Sequence, residues 1–233
     1  MNGRIVRPEQ TNRLQWPIIG KVKIGLKSER GYPQSVDYFI PSGKYAGLFA
    51  KAYGEKPSTI QVVFPVDDPS QVCIEQYEYR DDEGKLIAKG DGAEFDVWNG
   101  KQYVKLTTTE YPHLMQSIQS KYPNKLSQKV GDGWRVRLTL HFIVPMVKGV
   151  VGLWTFETNG TASTIPQVRD AFDTMLEQRG FVKGVIFDLN VRFASSQKPG
   201  DRSRYPVVSL VANESEGNVA MIKEAYNVKS LNE

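Results

Sequence analysis

Residues 134–144, WRVRLTLHFIV, alternate apolar and polar side chains along their whole length. The polar positions are Arg135, Arg137, Thr139 and His141, and the positions between them are apolar. A period of two is typical of a strand that buries one face and exposes the other. The same alternation recurs in residues 21–27, KVKIGLK, where Lys21, Lys23 and Lys27 share the polar side. Both segments therefore predict half-buried strands with a basic outer face.

Outward from these two segments, further strand-length runs are separated by turns that contain Gly, Asp or Asn. These runs are residues 37–40, 59–64, 71–79, 84–90, 93–98, 101–106, 150–158, 185–193 and 205–212. Helical spacing of apolar residues predicts helices near 42–53, 107–122, 164–179 and 216–226. Ser42 is the predicted cap of the first helix, and capping-box patterns begin at Thr107 and Thr164. Consecutive strands with inserted helices indicate an α+β fold with mostly antiparallel sheets, about ten strands and about four helices.

The domain organisation that we expect has four parts. They are an N-terminal arm at 1–16, an α+β sub-domain at 17–123, a polar linker or loop at 124–133, and a second α+β sub-domain at 134–233. A length of 233 residues suits either two small domains or one large domain. One continuous domain therefore remains an open alternative.

The composition excludes several classes of chemistry. One cysteine and two histidines cannot form an intrachain disulfide or a structural Cys/His zinc site. The sequence contains no phosphate-binding loop, no dinucleotide fingerprint and no nucleophile elbow. It also has no apolar run of about 20 residues and no signal-peptide core near its start. We therefore expect a cytoplasmic protein without catalytic residues, cofactor, metal or membrane partner.

Two groups of carboxylates deserve a test as metal ligands. Asp67 or Asp68, followed by Glu83 and Lys85, has the D…E-x-K order of metal-dependent nucleases, whose carboxylates converge on Mg²⁺. Glu83, however, lies in a DDEGK segment that predicts a solvent-facing hairpin turn. The acidic residues of 91–96 lack the spacing of a calcium loop. We favour solvated turns over a metal site at both places.

The small net charge of +4 conceals a strong segregation of charge along the chain. Residues 1–60 carry a net charge of +6, residues 61–100 carry −7, and residues 101–150 carry +6. An acidic block between two basic blocks can bind a basic partner, bind a phosphate backbone, or pair internally. The sequence leaves these three alternatives open.

Nucleic-acid contact would use basic residues that share a strand face or a polar loop. The candidates are Lys21, Lys23, Lys27, Arg135, Arg137, Lys198, Arg202 and Arg204. Single-stranded bases would also need exposed aromatic rings for stacking, and Trp154 is our main candidate, with Trp98, Tyr103 and Phe156 as further ones. Aromatic residues in strands usually belong to the core, so that alternative stays open.

Several short motifs occur together in a characteristic order. Residues 20–43 combine the basic strand, a Gly31-Tyr-Pro33 turn and an extended segment, and a helix that ends at residues 52–54 follows. In the second half, residues 152–160 (GLWTFETNG) and 189–192 (LNVR) continue the pattern. In this order the motifs, which span about residues 18–212, resemble the phage recombination-directionality-factor-like family, the accessory proteins of large serine integrases.

This resemblance implies a non-catalytic DNA-recombination accessory factor of a phage or mobile element. Such a protein binds a site-specific serine integrase and biases it toward excision through protein contacts, with sequence-nonspecific DNA contact as an additional alternative. The family offers no catalytic residues to transfer. The residues themselves keep two other functions open, which are a single-stranded DNA-binding protein of a phage-like replication or recombination module and a metal-dependent enzyme.

Overall fold

The computed structural model describes residues 16–27, 33–127, 132–197 and 199–213. In this part the chain forms eleven strands and four helices, which confirms the predicted α+β class. The elements are β1 (Ile18–Lys27), β2 (Pro33–Ser42), α1 (Ala46–Tyr53), β3 (Thr59–Val63), α2 (Pro69–Val72), β4 (Cys73–Arg80), β5 (Leu86–Gly90), β6 (Glu94–Trp98), β7 (Tyr103–Thr107), α3 (Leu114–Lys121), β8 (Trp134–Phe142), β9 (Leu153–Thr158), α4 (Thr164–Arg179), β10 (Ile186–Ser195) and β11 (Arg204–Ala212). The predicted helix at 216–226 and the predicted arm, apart from Trp16, lie outside the described residues.

The strands form two sheets. The larger sheet has eight strands in the order β2-β1-β9-β8-β4-β5-β6-β7, and the smaller one has three in the order β11-β10-β3. Every neighbouring pair is antiparallel except β1 and β9, which run parallel. Strands from both sides of residues 124–133 are neighbours in the larger sheet, as β4–β8 and β1–β9 show. The division into two sub-domains stays a prediction.

The alternation in β8 explains how the larger sheet acquires a buried face. Leu138, Leu140 and Phe142 are fully buried, whereas Arg135 on the other side of the strand is exposed. Because the register aligns β8 with β4 and β9, neighbouring strands bury the same side. Burial of these apolar side chains is the main stabilising contribution of the sheet.

The main hydrophobic core lies between this buried face, the three-stranded sheet, α1 and α4. Phe64, just after β3, contacts Phe172 of α4 and Phe187 of β10 edge-to-face, at centroid distances of 5.0 and 5.4 Å. Trp154 of β9 packs against Phe49 of α1 at 5.1 Å. Its ring fills space beside Gly20, where any Cβ atom would collide with the indole.

A second, smaller core holds the other end of the large sheet. Trp134 of β8 contacts Tyr79 of β4 at 5.1 Å and Phe95 of β6 at 5.4 Å. Leu114 and Ile118 of α3 are buried in the same cluster. Helix α3 therefore covers the β4–β7 end of the sheet on its buried side.

Two local predictions are wrong in detail. Ser42 does not cap α1, because it is the last residue of β2 and pairs with Lys21. The Thr164 hydroxyl does not cap α4 either, because it accepts a hydrogen bond from the Val208 N–H at 3.1 Å and so ties the helix to β11. Within the described part of the chain, no helix is long and apolar enough to cross a bilayer.

Candidate functional site

The side of the eight-stranded sheet that points away from both hydrophobic cores carries polar and charged side chains, and we call it the open face. Most of its side chains are half-exposed or exposed. Its charged members are Lys21, Lys23, Glu78, Arg80, Lys89, Glu94, Asp96, Lys105, Arg135, Arg137 and Glu157, placed on one side by strand register and period. Seven basic and four acidic residues thus share this face.

One row of the open face alternates in sign across five strands. Arg135 lies opposite Glu78, Glu78 opposite Lys89, Lys89 opposite Asp96, and Asp96 opposite Lys105. Opposite charges on directly paired residues favour the register that brings them together, and each such pair contributes a fraction of a kcal/mol. The row is therefore nearly neutral although three of its five members are cations.

A second group of charges on the open face is tied together by ion pairs. The Glu157 carboxylate lies 3.1 Å from Lys21 Nζ and 2.8 Å from Arg137 Nη1. Arg137 Nε also lies 2.9 Å from Glu78, which Arg80 contacts at 3.2 Å. Burial raises the pKa of Glu157, but Lys21 and Arg137 together outweigh it, so the pKa is below its ordinary value. The carboxylate stays ionised and holds both cations.

His141 occupies the middle of the open face. Its Nδ1 lies 3.2 Å from the Thr155 hydroxyl oxygen, and Thr155 is paired with Lys21 on the adjacent strand. Burial lowers the pKa of His141 below 6.5, Glu157 raises it, and Lys21 lowers it further. The ring is therefore neutral at pH 7 and does not add a cation to the face.

The structure brings four of the predicted nucleic-acid residues together and separates the others. Lys21, Lys23, Arg135 and Arg137 share the open face, where acidic residues are interleaved with them. Lys27 ends β1, but its side chain lies outside the described residues, as does all of Lys198. Arg204 begins β11 in the smaller sheet, and Arg202 lies in the connection between β10 and β11.

The proposed stacking role of Trp154 is wrong, because the side chain is enclosed by protein. Trp154 is 1% exposed and Phe156 is 0% exposed, so neither ring offers a face to a nucleobase. Trp98 and Tyr103 are more exposed but pack on each other at a centroid distance of 5.4 Å. The Tyr103 hydroxyl also donates a hydrogen bond to the Leu86 carbonyl at 2.6 Å.

The carboxylates that we tested as metal ligands bind backbone or a neighbouring lysine instead. The Asp67 carboxylate accepts hydrogen bonds from the N–H groups of Val182 and Lys183, both at 2.7 Å. Glu83 forms an ion pair with Lys85 at the tip of the β4–β5 hairpin. Among the described residues, no three His, Cys, Asp or Glu side chains are grouped so that they could hold a metal ion.

Two shallow grooves adjoin the open face. One, of about 400 Å³, exists because β5 pairs only with Tyr77–Arg80 and leaves the first half of β4 without a neighbour on that side. The other, of about 570 Å³, lies between Arg80, Arg135 and Arg137 and the segment Asn124–Leu126. Sequence reasoning missed both grooves, because they depend on where the pairing between strands stops. A broad charged face with shallow grooves suits contact with a macromolecule.

A family model described as Gp3-like, recombination directionality factor-like, matches residues 19–213. The match begins inside β1 and extends beyond β11, so it includes both sheets. No curated protein and no solved structure matches the chain.

Proposed function

This chain belongs to the recombination directionality factor-like family, and we propose that it is a non-catalytic accessory factor that binds a site-specific serine integrase and biases it toward excision. The observation that carries this proposal is the family match over residues 19–213, which covers almost every element of the fold. Such a role requires no bond-making chemistry from the chain. It requires a folded surface that distinguishes one state of the recombinase from another.

The open face supports this proposal as the surface that contacts the recombinase. Its Arg135–Glu78–Lys89–Asp96–Lys105 row presents charges of alternating sign at the fixed spacing of neighbouring strands. A protein partner with the complementary pattern fits one register and is repelled in others, which gives specificity. A uniformly negative polymer would gain little, because every second charge of the row repels it.

The free energy that such a factor must supply is modest. A protein that binds the excision-competent arrangement more tightly than the integration-competent one by about 2–3 kcal/mol shifts their ratio about 30- to 150-fold. A few well-packed side chains and oriented ion pairs in a protein interface provide this difference.

The direct test is recombination in vitro between the two hybrid attachment sites, with purified cognate integrase and with or without this chain. We expect excision to require the chain and integration between the original sites to be suppressed by it. Product amounts that do not depend on the chain in either direction would overturn the proposed function.

A charge-reversal pair tests whether the open face makes the contact. Lys23→Glu changes an exposed cation whose strand partner is Ile40, so the variant should fold as the parent does. Lys51→Glu makes the same change on α1, which packs on the opposite side of the sheet. We expect Lys23→Glu to weaken integrase binding about tenfold and Lys51→Glu to leave it unchanged. Equal losses in both variants would remove the open face as the contact surface.

A further inference from the structure

The hairpin formed by β10 and β11 extends beyond the sheet to which it belongs. Strand β3 pairs with β10 only as far as Asn190, whereas β10 and β11 stay paired to Ser195 and Arg204. The Ser196 N–H then donates a hydrogen bond to the Ser203 carbonyl at 2.9 Å, which lengthens the ribbon further. We call the described residues of 191–206 the hairpin tip. It is a two-stranded ribbon, and its residues 199–205 are all exposed.

At the hairpin tip, basic side chains project without acidic partners among the described residues. Residues 191–206 contain four Lys or Arg and one Asp, a net charge of +3. Among the residues that the structure describes, no carboxylate lies within ion-pair distance of Arg192, Arg202 or Arg204. All three side chains are exposed. Their charges are therefore available to an external anion.

The single acidic residue of the hairpin tip is used to shape the loop. The Asp201 carboxylate accepts a hydrogen bond from the Ser203 N–H at 2.8 Å. This bond and further hydrogen bonds from Ser203 and Ser196 keep the pKa of Asp201 below its ordinary value. Asp201 thus helps to form the turn and does not lie within ion-pair distance of the arginines.

We propose that the hairpin tip binds the phosphate backbone of duplex DNA through Arg192, Arg202 and Arg204, without reading sequence. An antiparallel two-stranded ribbon is narrow enough to enter the major groove of B-DNA, which is about 12 Å wide. Arginines on both strands and in the connecting loop would then face phosphates on either side of the groove. This inference does not depend on contact between the open face and a recombinase.

The aromatic residues of the hairpin tip favour duplex over single-stranded DNA as its ligand. The Arg204 guanidinium lies over the Phe193 ring, 5.1 Å from its centroid, and so occupies a face that a base would need for stacking. Tyr205 is the other aromatic ring of the ribbon. A single partly exposed ring does not make a stacking platform for successive bases, whereas phosphate contact needs only the three arginines.

The experiment measures binding of the full chain to a fluorescent duplex of about 25 base pairs, between about 50 and 200 mM salt. Each phosphate contact contributes about 0.9 to the slope of log K against log salt, so the triple variant Arg192→Gln/Arg202→Gln/Arg204→Gln should lose about 2.7 from the slope. The matched control, Lys101→Gln/Lys121→Gln/Lys148→Gln, removes three exposed lysines elsewhere on the chain. It should keep the parental slope.

Several results would overturn this proposal. The first is that the parent does not bind the duplex at about 50 mM salt. The second is that the triple glutamine variant at the arginines keeps the parental slope, or that the Lys101/Lys121/Lys148 control loses as much slope as it does. The third is that the parent binds a single strand of the same length more tightly than the duplex. A variant with the three arginines replaced by lysine should retain the slope, because phosphate contact needs charge. Loss of binding in that lysine-substituted variant would contradict backbone contact. Integrase binding by the triple glutamine variant should be unchanged, which separates this test from that of the proposed function.

Discussion

The open face and the hairpin tip are both rich in basic residues, yet their charges are available to very different degrees. On the open face, Lys21 and Arg137 are held by Glu157, and Arg135 lies in a row of alternating sign. At the hairpin tip, Arg202 and Arg204 have no carboxylate within ion-pair distance among the described residues. The first surface suits a partner with both signs of charge, and the second suits a polyanion.

The two regions also differ in what lies beneath them. The open face is one side of a sheet whose other side packs on both hydrophobic cores, so its side chains are held by a rigid base. The hairpin tip lies beyond the pairing of β3 with β10, and among its described residues Val191, at its base, is the one buried in the main core. A short two-stranded ribbon is marginally stable by itself, which allows the tip to adapt to its ligand.

The largest expected effect on the free energy of unfolding comes from a substitution in the hydrophobic core beneath the open face. Trp154→Ala should lower the free energy of unfolding by about 3–5 kcal/mol, because it leaves a large cavity beside Phe49. Tyr205→Ala at the hairpin tip should change it by about 0.5 kcal/mol or less, since the side chain is exposed. Urea unfolding followed by circular dichroism measures both. Similar losses in the two variants would show that the tip is part of the core.

Arg137 of the open face and Arg204 of the hairpin tip also differ in what their side chains contact. Arg137→Ala leaves the buried Glu78 with Arg80 as its ion-pair partner and should destabilise the fold by about 2 kcal/mol. Arg204→Ala removes the contact with the Phe193 ring and should cost about 0.5 kcal/mol. If Arg137 acts through Glu78, its replacement should cost less in a Glu78→Gln background. Additive costs in this double-mutant cycle would argue against coupling of the pair.

A smaller effect is the dependence of folding stability on pH, which we expect from titratable groups of the open face and not from the arginines of the hairpin tip. The pKa of His141 is lowered by burial, so the unfolded chain binds that proton more readily and stability falls as the pH drops below about 6.5. Glu157 has a lowered pKa because of Lys21 and Arg137, so its contribution is lost at still lower pH, as the carboxylate becomes protonated. His141→Gln should remove the loss of stability below about pH 6.5, and Glu157→Gln should remove the loss at still lower pH. Urea unfolding midpoints measured across this pH range test both. Arg204→Ala should leave the dependence of the unfolding midpoint on pH as it is in the parent.

Much of the fold could be predicted because period-two alternation is a local property. The pattern of β8 identifies both the buried leucines and the exposed arginines. The burial of Trp154 and Phe156 also had a signal, because both alternate with Thr155 and Glu157 in β9. A ring on the apolar side of such a strand belongs to the core, and the proposed stacking role for Trp154 disregarded this.

Other features could not be predicted, because they depend on which strands become neighbours. Strand β3 has the same local pattern as the strands that follow it, yet it joins the smaller sheet. The alternating row of the open face exists only because β8 pairs with β4, on the side opposite β5. Arg135 and Glu78 are far apart in sequence, so neither their pairing nor the resulting neutrality is visible in a list of charged residues.

The parallel pairing of β1 with β9 has a consequence for the newly made chain. While the ribosome extends the chain through β7 and α3, the β1–β2 hairpin lacks the neighbour that it will have in the finished sheet. β9 can pair with β1 and β8 only after Thr158 has left the exit tunnel of the ribosome. Contacts between such distant segments form slowly, because a long loop must close first. The pairing of β9 with its neighbours is thus a late step in forming the larger sheet. Until then the nascent chain exposes the unpaired edge of β1, to which chaperones can bind.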